Sequence, residues 1–253
     1  MNEIDFWEGL KGIKIGFQAL AEALTKCHEW YEKNAENIST VVLAVADFGI
    51  WCSAIDKMAH EQIIFTDDLS FEYAGILYES KNIAKAVQAY YLENDAKRMN
   101  TLIARCSENS MMEKYKIYYQ ETVSAYQLGH YLLTCSGLFA IIDGLLSDIS
   151  KIDKTNFKRR INEIKEKISD RIELSDIDRK LFCIFGCIEE VRVSMFDGDD
   201  FSKPETEQLN RNRVQHGRTH RNYTHLDALK AWLFLETILL MAEYCQNSVI
   251  YEE

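Results

Sequence analysis

One proline, Pro204, stands in a chain of 253 residues. Proline supplies turns and edge-strand stops in sheet proteins and is expelled from helix interiors. A chain that almost dispenses with it, and that shows few alternating strand patterns, is built to run in helices. Apolar residues recur at steps of three and four along most of its length, the spacing of one helix face. The segment from Phe6 to Lys33 carries Leu10, Ile13, Phe17, Leu20, Leu24, Cys27 and Tyr31 in that pattern. Gly9, Gly12 and Gly16 fall on it with no strand before them, so they predict close helix packing and not a phosphate-binding turn. A more apolar helix is expected over Ile38–Gln62, a break at "FTDDLS", a helix over Phe71–Asn94 and a weaker stretch to about Asn109. The polar "SENSMMEK" offers Ser and Asn caps and marks a boundary. Beyond it come a long helix or kinked helix pair over Met111–Ile149, a charged amphipathic helix over 154–170 with Phe157, Ile161, Ile164 and Ile168 on one face, and a helix over 176–196. The expectation is an all-α helical bundle, more than about two-thirds helix against a base rate of about one-third. Residues 1–110 form an N-terminal helical region and residues 111–253 a C-terminal helical domain.

Composition narrows the class. The formal net charge is -11, which argues against broad, sequence-independent binding of nucleic acid but leaves room for a local basic site. The seven Cys form no CxxC pair, a reduced pattern pointing to the cytoplasm. Cys183 and Cys187, four apart on an apolar helix, read as core and not as a metal pair. The opening "MNEIDFWEGL" lacks the basic and apolar regions of a signal peptide. The most apolar stretches are interrupted by Asp47 and Asp143, short of the ~18 uninterrupted residues of a membrane span, so no membrane partner is expected. Neither His28-Glu29 nor His60-Glu61 extends to HExxH, and "DGDDFSKP" lacks the spacing of a calcium loop. No metal and no cofactor is expected.

Against this acidic background, "LNRNRVQHGRTHRNYTHLDALKAW" from Leu209 to Trp232 is anomalous. It gathers Arg211, Arg213, Arg218, Arg221, His216, His220 and His225 with no acid before Asp227. Ser202 can cap a helix that has Pro204 in its first turn, Glu205 and Glu207 on the favourable end of its dipole, and a terminus near His216. Gly217 suits the left-handed position after a helix. Thr224 with Asp227 makes a capping signal for a final helix whose Leu226, Leu229, Leu233, Ile238, Met241 and Tyr244 face inward. Cations near a helix C-terminus explain one or two of the seven groups and not all of them.

Arg211-Asn212-x-x-x-His216-Gly217 resembles the R-x(4–6)-H motif of HEPN domains in its RN-x-x-x-H form. These are all-α domains of abortive-infection, toxin–antitoxin and CRISPR-related defence systems. The resemblance covers about residues 111–253 and implies a HEPN-like bundle there. It implies a metal-independent endoribonuclease acting in phage defence or toxin-like growth arrest, with Arg211 on the scissile phosphate, His216 as acid/base and Asn212 orienting one of them or the substrate. Arg213, Arg218, His220 and Arg221 become secondary RNA contacts. Arg213 to His220 and Arg218 to His225 also fit the spacing, so the register stays open, with Arg211/His216 preferred for its Asn and Gly. Toxins regulated by nucleotidylation carry a Tyr two residues past the His; here that residue is Arg218.

The chemistry stands on its own. Attack of a ribose 2′-hydroxyl on phosphorus needs a proton acceptor, a proton donor and positive charge for the phosphorane. Histidine and arginine supply these. Positions five apart on a helix lie about 140° apart, so one motif is a splayed half-site. The family answers this by pairing two motifs across a dimer cleft, which implies a homodimer and leaves room for an antitoxin or other regulatory protein partner. The alternative reading is a non-catalytic helical module that binds RNA or a partner protein through the same Arg/His patch.

Overall fold

The computed structural model describes residues 40–66, 68–69, 71–152, 156–169, 179–198 and 200–247. The helix expected over Phe6–Lys33, with its three glycines, lies outside them. Among the described residues there are nine α-helices and no strand. They are α1 Thr40–His60, α2 Phe71–Glu79, α3 Ile83–Glu108, α4 Lys116–Gln127, α5 Tyr131–Ser150, α6 Phe157–Ser169, α7 Arg179–Phe196, α8 Arg211–Gln215 and α9 His225–Asn247. A 3-10 turn, Ser110–Tyr115, leads into α4. The all-α expectation holds.

The core is organised on α9 and α5. Eleven apolar residues of α9 between Ala228 and Ala242 are buried, Trp232 and Phe234 completely, so this helix is enclosed on nearly all sides. It packs against α5, α3 and α6, while α1 packs against α2 and α7. Residues from Trp51 to Ala242 enter one hydrophobic core, and residues on both sides of position 110 contribute to it. A Cβ on Gly144 of α5 would come within 2.5 Å of the Tyr115 hydroxyl, so glycine there permits the close approach of the turn before α4. By length and composition α5 could cross a membrane, yet half of its apolar window is buried in the bundle.

Breaks between helices follow local chemistry. Asn82 caps α3 by accepting from the Lys85 N–H at 2.9 Å, which ends the expected Phe71–Asn94 helix early and divides it into α2 and α3. The weakening seen in the sequence at Asn94 is a bend: Asn94, Asp95 and Ala96 all adopt left-handed φ between 51° and 58°. Left-handed backbone costs about 1–2 kcal/mol per residue, and tertiary contacts offset it. Arg98 stacks 3.8 Å over the Tyr90 ring and bonds the Tyr90 carbonyl and the Glu93 carboxylate. Gly129, at φ +75°, turns the chain between α4 and α5, which are a helix pair and not one helix.

One expected helix is corrected. Residues 204–210 are not helical, and Ser202 and Pro204 start nothing; α8 is only five residues long. Two contacts explain this. Buried Gln62 bonds both the N–H and the C=O of Leu209, at 2.7 and 2.8 Å, and holds it where an intrahelical ladder cannot form. Asn210 then caps the helix, its side chain accepting from Asn212 and Arg213. Glu205 has turned from a helix-dipole partner into an acceptor for the loop after α8. The far end is as expected: Gly217 has φ +62°, its N–H reaches Val214 and that of Arg218 reaches Arg213, a Schellman closure. Thr224 donates its N–H and hydroxyl to Asp227 at 2.8 and 2.9 Å, fixing the start of α9.

His225, in the first turn of α9, ties that helix to its neighbours. Its Nε2 lies 2.6 Å from the Tyr126 hydroxyl and its Nδ1 3.3 Å from the Gln88 amide. Burial pushes its pKa below the ordinary 6.5. A histidine harder to protonate folded than unfolded gives stability that is present above the unfolded pKa and lost as pH falls through that pKa towards the lower folded one. The urea midpoint is expected to drop between pH 7.5 and 5.5, and to drop less in His225→Gln. Equal slopes for both proteins would remove His225 from the cause.

Candidate functional site

The carboxylate of Asp143 organises the site. It projects from α5, the helix that supplies Leu138, Phe139, Ile141, Ile142, Leu145 and Leu146 to the core. Its Oδ1 accepts from Arg160 of α6 at 2.8 Å and its Oδ2 from Arg211 of α8 at 2.8 Å. Arg160 also reaches the Asp143 carbonyl at 3.1 Å and that of Ile152 at 3.0 Å. Two guanidinium groups therefore share one carboxylate, with the Asp143 and Arg211 side chains only 23% and 20% exposed.

Asn212 completes the hold on Arg211. Its Oδ1 accepts from Arg211 Nη1 at 3.1 Å, while its Nδ2 donates to the Asp197 carbonyl at 3.1 Å, past the end of α7. Arg211 Nε is buried without a hydrogen-bond partner. Arg211, Asn212 and Asp143 line a cleft of about 280 Å³ together with Asn156, Phe157, Lys158, Phe196, Asp197 and Gly198. Its apolar wall is rigid, because the Phe157 and Phe196 rings stack 3.9 Å apart and Phe196 packs 4.6 Å from Phe234.

His216 occupies the C-cap of α8, exposed to solvent. Its neighbour is the Phe201 ring, centroid to centroid 6.1 Å, and it is not among the residues lining the Asp143 cleft. The motif is thus split as its spacing requires, with the arginine in the cleft and the histidine on the adjoining surface. The other groups divide sharply. Arg213 is 4% exposed and donates to the carbonyls of Asp200 and Lys203. Arg221 makes a two-pronged ion pair with Asp227 at 2.6 and 3.1 Å and lies 3.7 Å from Glu205. Arg218 and His220 are exposed. Of the two other registers, one would use the buried Arg213 and the other His225, which is bonded to Tyr126 and Gln88.

Glu205 is the hidden acid of this region. Burial works to raise its pKa, but bonds from the His220 N–H, the Thr219 hydroxyl and the Arg221 N–H, with the charge of Arg221, outweigh it and hold the carboxyl below its ordinary range. Arg221 behaves conversely: burial opposes its charge, and Asp227 restores and strengthens it. Among the described residues no group of three His, Cys, Asp or Glu is placed to hold a metal ion.

Sequence reasoning missed Asp143 as a site residue. The available signal was a lone acid inside "CSGLFAIIDGLL", where burying an unpaired charge is prohibitive and a cationic partner must exist. Nothing local could say that the partner is Arg211.

Replacing Asp143 by Ala removes the anion shared by Arg160 and Arg211. Breaking a fully buried pair costs ~3–5 kcal/mol, and the partial exposure of this one lowers the expected loss to about 2 kcal/mol. Urea unfolding of the Asp143→Ala and Asp143→Asn variants measures it. A change below about 0.5 kcal/mol in both would show the pair to be energetically idle.

No protein-family model, no curated protein and no solved structure matches this chain.

Proposed function

We propose that the protein is a metal-independent endoribonuclease whose site is built from Arg211, Asn212 and His216, with the motif resembling that of HEPN domains. One observation carries the reading. Arg211 is braced in a cleft by a carboxylate and an amide, and the exposed imidazole of His216 stands at the other end of the same single-turn helix. Each Nη of Arg211 has a second N–H beyond those spent on Asp143 and Asn212, so a phosphate oxygen can be added without dismantling the brace. His216 is exposed, as a proton shuttle must be to meet substrate. In the reaction the 2′-oxygen attacks phosphorus and loses its proton to a base, and the 5′-oxygen leaves with a proton from an acid. The products are a 2′,3′-cyclic phosphate and a free 5′-hydroxyl. The cyclic product opens to a 3′-phosphate if water follows.

One motif offers one imidazole, whereas the reaction uses an acid and a base. A two-fold homodimer that brings two His216 side chains to one substrate supplies both. Exposed Leu128, Leu132 and Leu133 sit at the turn into α5 and its first residues, and Gln215 of α8 bonds Ser136 one turn further on, so an apolar surface adjoins the motif. The role assigned is phage defence or growth arrest in the cytoplasm, under an activator or an antitoxin-like partner.

A second reading is favoured by the internal engagement of Arg213 and Arg221. Withdrawn from the surface, they leave a smaller positive patch than the sequence suggests. A non-catalytic module that binds RNA or a protein through His216, Arg218 and His220 fits that smaller patch.

Labelled single-stranded RNA distinguishes them. Unpaired RNA is the expected substrate, because a duplex holds its 2′-hydroxyl away from in-line attack. Cleavage should persist in EDTA. The His216→Ala variant should lose about 10²–10⁴-fold in rate, the scale of general acid–base catalysis. Arg211→Lys should not restore activity, since an ammonium lacks the planar fork that meets Asp143, Asn212 and phosphate together. Cleavage by a folded His216→Ala variant at the full rate, or activity abolished by EDTA and restored by magnesium, would move the site elsewhere. RNA binding without cleavage by wild-type protein in its activated state would favour the second reading.

A further inference from the structure

Phe201 is 43% exposed and belongs neither to the core nor to the partly buried residues packed against it. A large apolar ring in water is ordinary when it sits on a loose loop. Phe201 does not. Asp200, Phe201, Ser202 and Lys203 form a turn closed by the Lys203 N–H on the Asp200 carbonyl at 3.0 Å. The Asp200 carboxylate locks the turn from within, accepting from the Ser202 N–H at 3.0 Å and the Ser202 hydroxyl at 2.6 Å. These bonds hold its pKa below the ordinary carboxylate value. From beneath, Arg213 bonds the carbonyls at both ends of the turn, those of Asp200 and Lys203. Its guanidinium carbon lies 5.9 Å from the Phe201 ring centroid. A buried arginine and these five hydrogen bonds thus hold the backbone of the turn that carries the exposed ring.

That ring stands 6.1 Å from the exposed imidazole of His216, tilted at 64°. Lys203, on the same turn, has a side chain 75% exposed, and Arg218, two residues past His216, is exposed as well. Lys203 also pairs with Asp200 at 3.7 Å, and an aromatic ring on a braced turn with cations beside it is a surface suited to unpaired nucleotides. The ring stacks on a base, while the cations follow the phosphates.

We propose that Phe201 is a stacking residue for the nucleobase next to the scissile phosphate, and that Arg213 serves by positioning it. The inference rests on the ribonuclease reading of His216. It assigns Arg213 a different task from direct phosphate contact: the guanidinium sits under the turn, 4% exposed, and acts through Phe201. Stacking is tolerant of base identity, so Phe201 contributes affinity and places the base, with its phosphate, against the imidazole.

The test uses the full chain and a single-stranded 2′-O-methyl RNA oligonucleotide carrying 2-aminopurine, which binds but has no 2′-hydroxyl to react. Wild-type protein is expected to bind it by anisotropy and to quench the 2-aminopurine fluorescence as the base stacks. Phe201→Leu keeps the apolar bulk and removes the ring face. It should weaken binding about tenfold, within the ~1–3 kcal/mol of one base–aromatic stack, and abolish the quenching. Phe201→Trp should keep both. Arg213→Ala, confirmed folded by its circular dichroism, should lose quenching as Phe201→Leu does. Binding and quenching unchanged in Phe201→Leu would overturn the inference and leave the RNA reading standing. No binding by wild-type protein would overturn both. A fall in assembly mass by light scattering in Phe201→Leu, with unaltered binding, would make the ring a protein contact instead.

Discussion

A carboxylate enclosed by an apolar helix must find positive charge, and Asp143 finds two sources. Arg160 comes from the neighbouring α6 and Arg211 from a segment 68 residues further along the chain. The second contact has consequences beyond its own energy. A helix of five residues cannot sustain itself, since nucleation fixes several residues for its first hydrogen bond. The flanks of α8 are held by the Asn210 cap and the Gly217 closure, and its first and last residues by Arg211 on Asp143 and Gln215 on the Ser136 carbonyl. What looks like an isolated turn is an extension of the α5 surface, and the position of His216 follows from that attachment.

The same principle resolves the odd charge distribution. A run of seven Arg and His groups without an acid is a basic patch only if the chain stays unfolded around it. In the folded protein the acids arrive from elsewhere: Asp143 from α5, Glu205 from the loop before α8, Asp227 from the first turn of α9. Three of the four arginines are spent in this way or on backbone carbonyls. They hold the loops on either side of α8; of the other four groups His225 is bonded to Tyr126 and Gln88, and His216, Arg218 and His220 face solvent. The arginine cluster is therefore mainly architecture, and the basic surface it leaves is small.

Much of the bundle is legible in the sequence because helix faces repeat locally. The stripe Ile161, Ile164, Ile168 and Leu229, Leu233, Ile238 and Met241 of α9 are buried as their spacing implies, with Leu226 and Tyr244 partly buried against the core. Gly217 and Thr224–Asp227 are legible too, since each signal lies within four residues of its effect. Other features depend on distant partners. The sequence around Pro204 reads as a helix start, and only Gln62, 147 residues away, holds Leu209 otherwise. The division between α2 and α3 rests on Asn82, a cap without a Gly or Pro to announce it. In the site, the Arg211–Asn212–His216 set was readable as a motif. The brace by Asp143 and the ring of Phe201 beside His216 were not, because neither lies near them in helical register.

The separation of Arg211 from His216 is the deepest constraint on what this surface can do. About 140° of helical rotation places one in the Asp143 cleft and the other at the C-cap. Lengthening α8 by a turn would not bring them together, because the angle is set by their spacing and not by helix length. Moving Arg211 toward the histidine would strip Asp143 of one cation inside the bundle. A substrate that meets both must therefore bend over the end of α8, or a second chain must offer its own histidine to the first chain's arginine. Single-stranded nucleic acid, the substrate proposed above, is flexible enough for the first route, and the Phe201 ring would give it a point about which to turn. Arg211 begins α8, and the 200–203 turn brings Phe201 to 6.1 Å from the histidine at its other end. On the ribonuclease reading, a flexible polymer that engages both would pass across the exposed His216 imidazole.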